Sequence, residues 1–164
     1  MTRNQYKHLY VDNLTPASGY PNYYPPPGRV WLVISTLLTL TLDLANTGTR
    51  DAYVEVYDRA NNVGQVAALA ISGEDVTTAG SGTGNFLGFG GMQNPQTLGN
   101  SPNLALLAAS GGRSAFIAYP RPIPILPGWA ITVNYVGLQS GDSFSFNVEY
   151  LDVDFDYYLD HLTL

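Results

Sequence analysis

The chain has 164 residues, of which 45% are aliphatic or aromatic and 12% charged, with 13 acids against 7 bases for a net charge of −6. That length and apolar share suit one globular domain with a sizeable core and exclude a disordered chain. The acidic balance argues against a phosphate-neutralising nucleic-acid face, and a cysteine count of 0 excludes disulfides, thiolate nucleophiles and Cys-ligated zinc.

Met1 to Leu14 lacks a continuous apolar core behind a basic start, so no secretory signal is expected. Near its end, YKHLYVD (6–12) alternates well enough to add a strand. The next stretch, YPNYYPPP (20–27), holds four prolines and three tyrosines. Its prolines forbid helix and central strand and favour polyproline II. It has no Pro-Pro-x-Tyr for a WW-type reader. The expectation is a stiff arm, with Tyr20, Tyr23, Tyr24, Pro25, Pro26 and Pro27 as contacts for another subunit. The alternative is a strap over its own barrel. As an arm, residues 1–28 would be removable without loss of the fold.

From Val30 the period is two. VWLVISTLLTLTLDL (30–44) reads as a long strand, too hydroxylated to span a bilayer. DAYVEVYD (51–58), VGQVAALAI (63–71), SAFIAY (114–119), WAITVNYV (129–136) and SFSFNVEYLDVD (143–154) continue the pattern. NLALLAA (103–109) reads as a strand or one short helix. Gly-, Asn- and Asp-rich turns separate these runs. Between Ser72 and Asn103 lie 32 residues with eight of the 17 glycines, read as one long loop. YPRPIPILPGW (119–129) repeats the manner of YYPPPGRVW, with extended proline-rich chain, Pro-Gly, then a strand bearing Trp129 or Trp31. The pair suggests two crossings between sheets at one end. In the last strand Phe144, Phe146, Val148 and Tyr150 share a parity that Leu151, Val153 and Phe155 abandon, so a β-bulge or strand end is expected near Tyr150–Leu151.

The fold expected is all-β: a single eight-stranded jelly-roll sandwich or barrel over 29–156, with an N-terminal arm (1–28), a long Gly-rich loop (72–103) and a C-terminal tail (157–164). A nine-stranded immunoglobulin-like sandwich is the structural rival.

Catalytic groups are scarce. The histidines are His8 and His161, each near a terminus, and no Gly-x-Ser-x-Gly or His-Glu-x-x-His occurs. No clustered histidines suggest a barrel metal, and GSGTG (80–84) lacks the Lys-Ser/Thr of a phosphate loop. No enzyme activity and no cofactor are expected. Asp152, Asp154 and Asp156 would share one strand face. Calcium is a minor reading of that run, against a solvated acidic face or a contact with a neighbour's Arg.

Short strands, few charges, no cysteine, Pro-Gly steps into strands and the segment ILPGWAITVNYVGLQSGDSFSFNVEYLDV (125–153) resemble single jelly-roll virion proteins. The likeness is to the tailless icosahedral phages with paired single jelly-roll major capsid proteins, thermophilic hosts included. Six Arg among seven bases, with 11 prolines, is compatible with a thermophilic source. The resemblance implies a capsid subunit in a virion, self-association, a second capsid protein as partner, no nucleic-acid contact and a membrane met only indirectly. Alternatives are a phage decoration or receptor-binding protein and a carbohydrate-binding β-sandwich, for which twelve tyrosines supply stacking surfaces.

Overall fold

Alternation of apolar and polar residues folds this chain into two antiparallel sheets. The structure, a computed structural model, describes residues 5–19, 21–41, 47–60, 64–78, 81–88 and 112–161. The first sheet sets β1 (Gln5–Leu14), β9 (Ser143–Asp154), β3 (Arg29–Thr41) and β7 (Gly112–Ile125) side by side in that order. The second runs β2 (Asn22–Tyr23), β8 (Trp129–Val136), β4 (Gly48–Asp58), β5 (Gly64–Thr78), β6 (Ser81–Gly88). A short helix, α1 (Phe155–His161), follows β9 directly.

Alternate residues of β4, β8 and β9 build the core. Phe144, Phe146, Val148 and Tyr150 of β9 join Ala52, Val54 and Val56 of β4 and Ile131, Val133 and Tyr135 of β8 in one buried cluster. Truncating either fully buried phenylalanine to Ala would cost about 3–5 kcal/mol through lost burial and the cavity left behind.

Parity does change, but on β3 rather than β9. Val33 pairs with Tyr150 and Ser35 with Glu149, so Ile34 is an extra residue in β3. Before that bulge Trp31 and Val33 face the core; after it Thr36 and Leu38 do, while the buried Ser35 points to the other face and donates to Glu149. β9 itself runs in register from Ser143 through Tyr150 to Asp154, apart from the step opposite Ile34. The bulge expected near Tyr150–Leu151 is therefore not in that strand. Leu151 and Val153 simply face the other side, where Leu126, Phe155 and Tyr158 complete a second small cluster with Val30 and Leu32. Both faces of the sheet are buried at that end. The predicted tail from 157 is in its first half helix α1, which helps to cover this cluster.

Three other expectations shift. The long loop over 72–103 is in part regular structure: β5 continues to Thr78 and pairs with β6. Residues 89–111, with the 103–109 segment, lie outside the described residues. The proline-rich 120–125 stretch continues β7, an edge strand, where missing N–H groups cost no ladder bonds on the open side. Residues 5–14 are not a detachable arm, since β1 pairs with β9 from Gln5 to Leu14 and Leu14 enters the core.

Both Pro-Gly steps are crossings between the sheets at the same end. Arg29 N–H donates to the Pro26 carbonyl at 3.0 Å, and Trp129 N–H to that of Leu126 at 2.9 Å. Each turn puts glycine at positive φ, as a Pro-Gly turn requires. At Gly128 space is decisive as well, since a Cβ there would lie 2.6 Å from that of Ala60.

One interior hydrogen bond ties the sheets together. Leu69 is one of two bulged residues of β5, between the partners of Val54 and Glu55. Its carbonyl accepts from the Tyr119 hydroxyl of β7 at 2.7 Å, and the Thr36 hydroxyl lies 2.8 Å from the same phenol oxygen.

Candidate interaction surfaces

In β1, β4, β8 and β9 alternate residues enter the main core, and the residues between them supply much of the two outer faces. On the second sheet, β4 presents Asp51, Tyr53, Glu55 and Tyr57. Across the ladder these meet Val136, Asn134, Thr132 and Ala130 of β8. Arg59 extends the row, its guanidinium 4.6 Å from the Tyr57 ring centre. The same guanidinium donates to Asn22 Oδ1 at 3.1 Å, which also accepts from the Thr132 hydroxyl at 2.7 Å. Glu55 is nearly inaccessible, and its Oε1 accepts from Gln65 Nε2 at 2.7 Å.

Crowding of polar groups on this face perturbs them. Burial raises the Glu55 carboxyl above its ordinary range, with the Tyr57 hydroxyl pulling the other way. Burial likewise raises Asp51, partly offset by the Tyr53 hydroxyl. Tyr53 is pushed up to about 12, first by burial and then by the charge of Asp51. Val136, opposite Asp51 at one end of the row, and Tyr24, next in the chain after the β2 residues paired with β8, are about half exposed, at 57% and 49%. The result is an aromatic and arginine-bearing face with few free charges, the composition of a protein-contact surface.

The outer face of the first sheet differs. Here the central strand β9 offers the small Ser145 and Asn147, while β1 and β3 flank it with Tyr10 and Leu37. Small residues between large ones leave an open groove of about 330 Å³, lined also by Asp12, Thr39 and Thr41.

The residues singled out in the sequence are dispersed. Tyr23 packs edge-on against Phe146, ring centres 5.8 Å apart, and Pro25 is buried. The segment 21–25 is thus a strap along the protein's own second sheet, held further by Val133 N–H donating to the Pro21 carbonyl at 3.1 Å. Tyr24, Pro26 and Pro27 are exposed, and Tyr20 lies outside the described residues.

The three aspartates do not share a strand face. Asp152 is buried and ion-paired to Lys7 at 2.5 Å and Arg29 at 2.9 Å. Asp154 Oδ1 accepts from the backbone N–H of Asp156 at 3.1 Å, closing the first turn of α1, and Asp156 is exposed within that helix. Among the described residues no group of three or more His, Asp or Glu side chains is placed to hold a metal ion. His8 is exposed on β1, and His161 stacks on Tyr157 with ring centres 4.5 Å apart. No described helix is long and apolar enough to cross a membrane.

The face missed by sequence reasoning is the Asp51–Tyr57 row. Its signal was present, because DAYVEVYD alternates small aliphatics with polar and aromatic residues. No protein-family model, curated protein or solved structure matches this chain.

Proposed function

We propose that this protein is a virion structural component, a capsid subunit built on a jelly roll. The observation that carries the reading is the nesting of strand pairs. β1 pairs with β9, β2 with β8, β3 with β7 and β4 with β5. Nested pairs of this kind arise when one long antiparallel hairpin is rolled into two facing sheets, which is the jelly-roll arrangement of viral capsid and lectin domains. β6 is then an extra strand on the β5 edge.

The outer face of the second sheet supports the same reading. It combines Tyr24, Tyr53, Tyr57, Arg59 and Val136 with carboxylates that burial already disfavours in charged form. Such a face gains by being covered. The strap over 21–25 belongs to this surface, with Tyr24 as its exposed contact. In this account the subunit associates with copies of itself and with a second capsid protein, and performs no catalysis.

Sedimentation velocity at rising concentration tests the assignment of the face. The native chain should associate, Val136→Asp and Tyr24→Ser should weaken association, and Tyr6→Ser on the opposite outer face should not. Association equal in all four proteins would remove this face from the account.

A further inference from the structure

We propose that the groove on the outer face of the first sheet binds a neutral saccharide. This does not rest on the capsid reading, because the groove and the contact face lie on opposite sides of the molecule.

Register creates the groove. Asn147 stands opposite Tyr10 on one side and Leu37 on the other, so one cross-strand row runs tyrosine, amide, leucine. The next row places Ser145 between Asp12 and Thr39. Tyr10 is 64% exposed and Leu37 36% exposed, large apolar surfaces left in water at the two walls. Between them the volume is about 330 Å³, at the small end of ligand sites. That suits a short oligosaccharide and not a folded partner.

The floor is polar and partly fixed. The Ser145 hydroxyl donates to Asp12 Oδ1 at 2.6 Å and accepts from Asn13 N–H at 3.1 Å, which sets the carboxylate at the wall. Asn147 Oδ1 is shielded from solvent and has no hydrogen-bond partner. A shielded, unpaired carbonyl is costly, so the amide gains if it turns outward to meet an arriving hydroxyl.

Sugar rings carry both kinds of surface that such a groove offers, C–H faces for an aromatic wall and hydroxyls for carboxylate and amide acceptors. Asp12 is the charged residue of the lining, and no Lys or Arg accompanies it. The site therefore disfavours anionic sugars by charge.

Isothermal titration of the full chain with cellohexaose, chitohexaose and mannohexaose, and with an oligogalacturonate as the anionic probe, tests this. At least one neutral probe should bind, and Tyr10→Ala should weaken it by about tenfold or more, while Tyr10→Trp retains it. Tyr6→Ala truncates a comparably exposed tyrosine on the same side of β1 and should bind as the native chain does. Overturning results are no binding by any neutral probe, binding of the anionic probe alone, or binding that Tyr10→Ala leaves unchanged. A change of oligomeric state in Tyr10→Ala without a change in binding would also overturn it.

Discussion

Arg50 Nε lies 3.1 Å from Asp142 Oδ2, and both side chains are wholly inaccessible. Arg50 near the start of β4 also donates to the Gly48 carbonyl at 2.8 Å, while Asp142 accepts from Gln139 N–H at 2.7 Å in the β8–β9 turn. One ion pair thereby pins a strand of the second sheet to the turn that returns the chain to the first. Removing one partner takes the buried counter-charge from the other, which costs about 3–5 kcal/mol. Arg50→Ala and Asp142→Ala should each lower the urea midpoint steeply. The double variant should be much less than additive. Additive losses would show that the two residues act separately.

Tyr119 is the second such tie. Burial raises its phenol well above the ordinary value, partly offset by the hydrogen bond from Thr36. Tyr119→Phe leaves the Leu69 carbonyl without that donor, at a cost of about 1–3 kcal/mol. Chemical denaturation reads the loss, and alkaline titration of the variant should lack one tyrosine that ionises well above the ordinary phenol range. An unchanged titration would assign that role elsewhere.

Stability should carry a pH signature from the second sheet's outer face. Glu55 and Asp51 have folded carboxyl values raised above the unfolded ones, so the fold favours their protonated forms. Their contribution is fully present below about pH 4 and is lost as pH rises through the raised folded values. Glu55→Gln keeps an acceptor for Gln65 without the charge. The variant should match the native chain in acid and exceed it in stability near neutrality. A gain of equal size at both pH values would argue against a titrating carboxylate.

The first 28 residues should prove part of the fold. β1 supplies Leu14 to the core, Tyr23 packs on Phe146, and the Tyr135 hydroxyl donates to the carbonyls of Thr15 and Pro16 at 3.0 and 2.9 Å. Lys7 and Arg29 together neutralise the buried Asp152. Deleting 1–28 strips β1 from β9 and removes one of those two cations. The truncated protein should lose cooperative thermal unfolding, and a truncated chain that melts like the native one would restore the detachable-arm view.

Strand positions were legible because a period of two survives wherever one face is buried. It marked β3, β4, β8 and β9 closely. It failed where both faces are buried, as at Leu151 and Val153, because a second cluster under α1 mimics a register slip. Glycine content hid β6, since Ser81–Gly88 has little side-chain pattern to read and is held as a strand by pairing with β5. The aspartate run misled for a related reason: the strand ends at Asp154, and local spacing does not reveal where strand geometry gives way to a helical turn. Proline density likewise marked residues 20–27 as extended but did not say what they lie against. Surface chemistry was the least legible, because the Asp51–Tyr57 row and the Tyr10–Asn147–Leu37 row become surfaces only once neighbouring strands are in register.

Size-exclusion chromatography with light scattering, across a wide range of protein concentration and salt, tests the central claim most directly. A capsid subunit should give a defined oligomer or growth into larger assemblies as concentration rises. A monomer at every concentration and salt would contradict it.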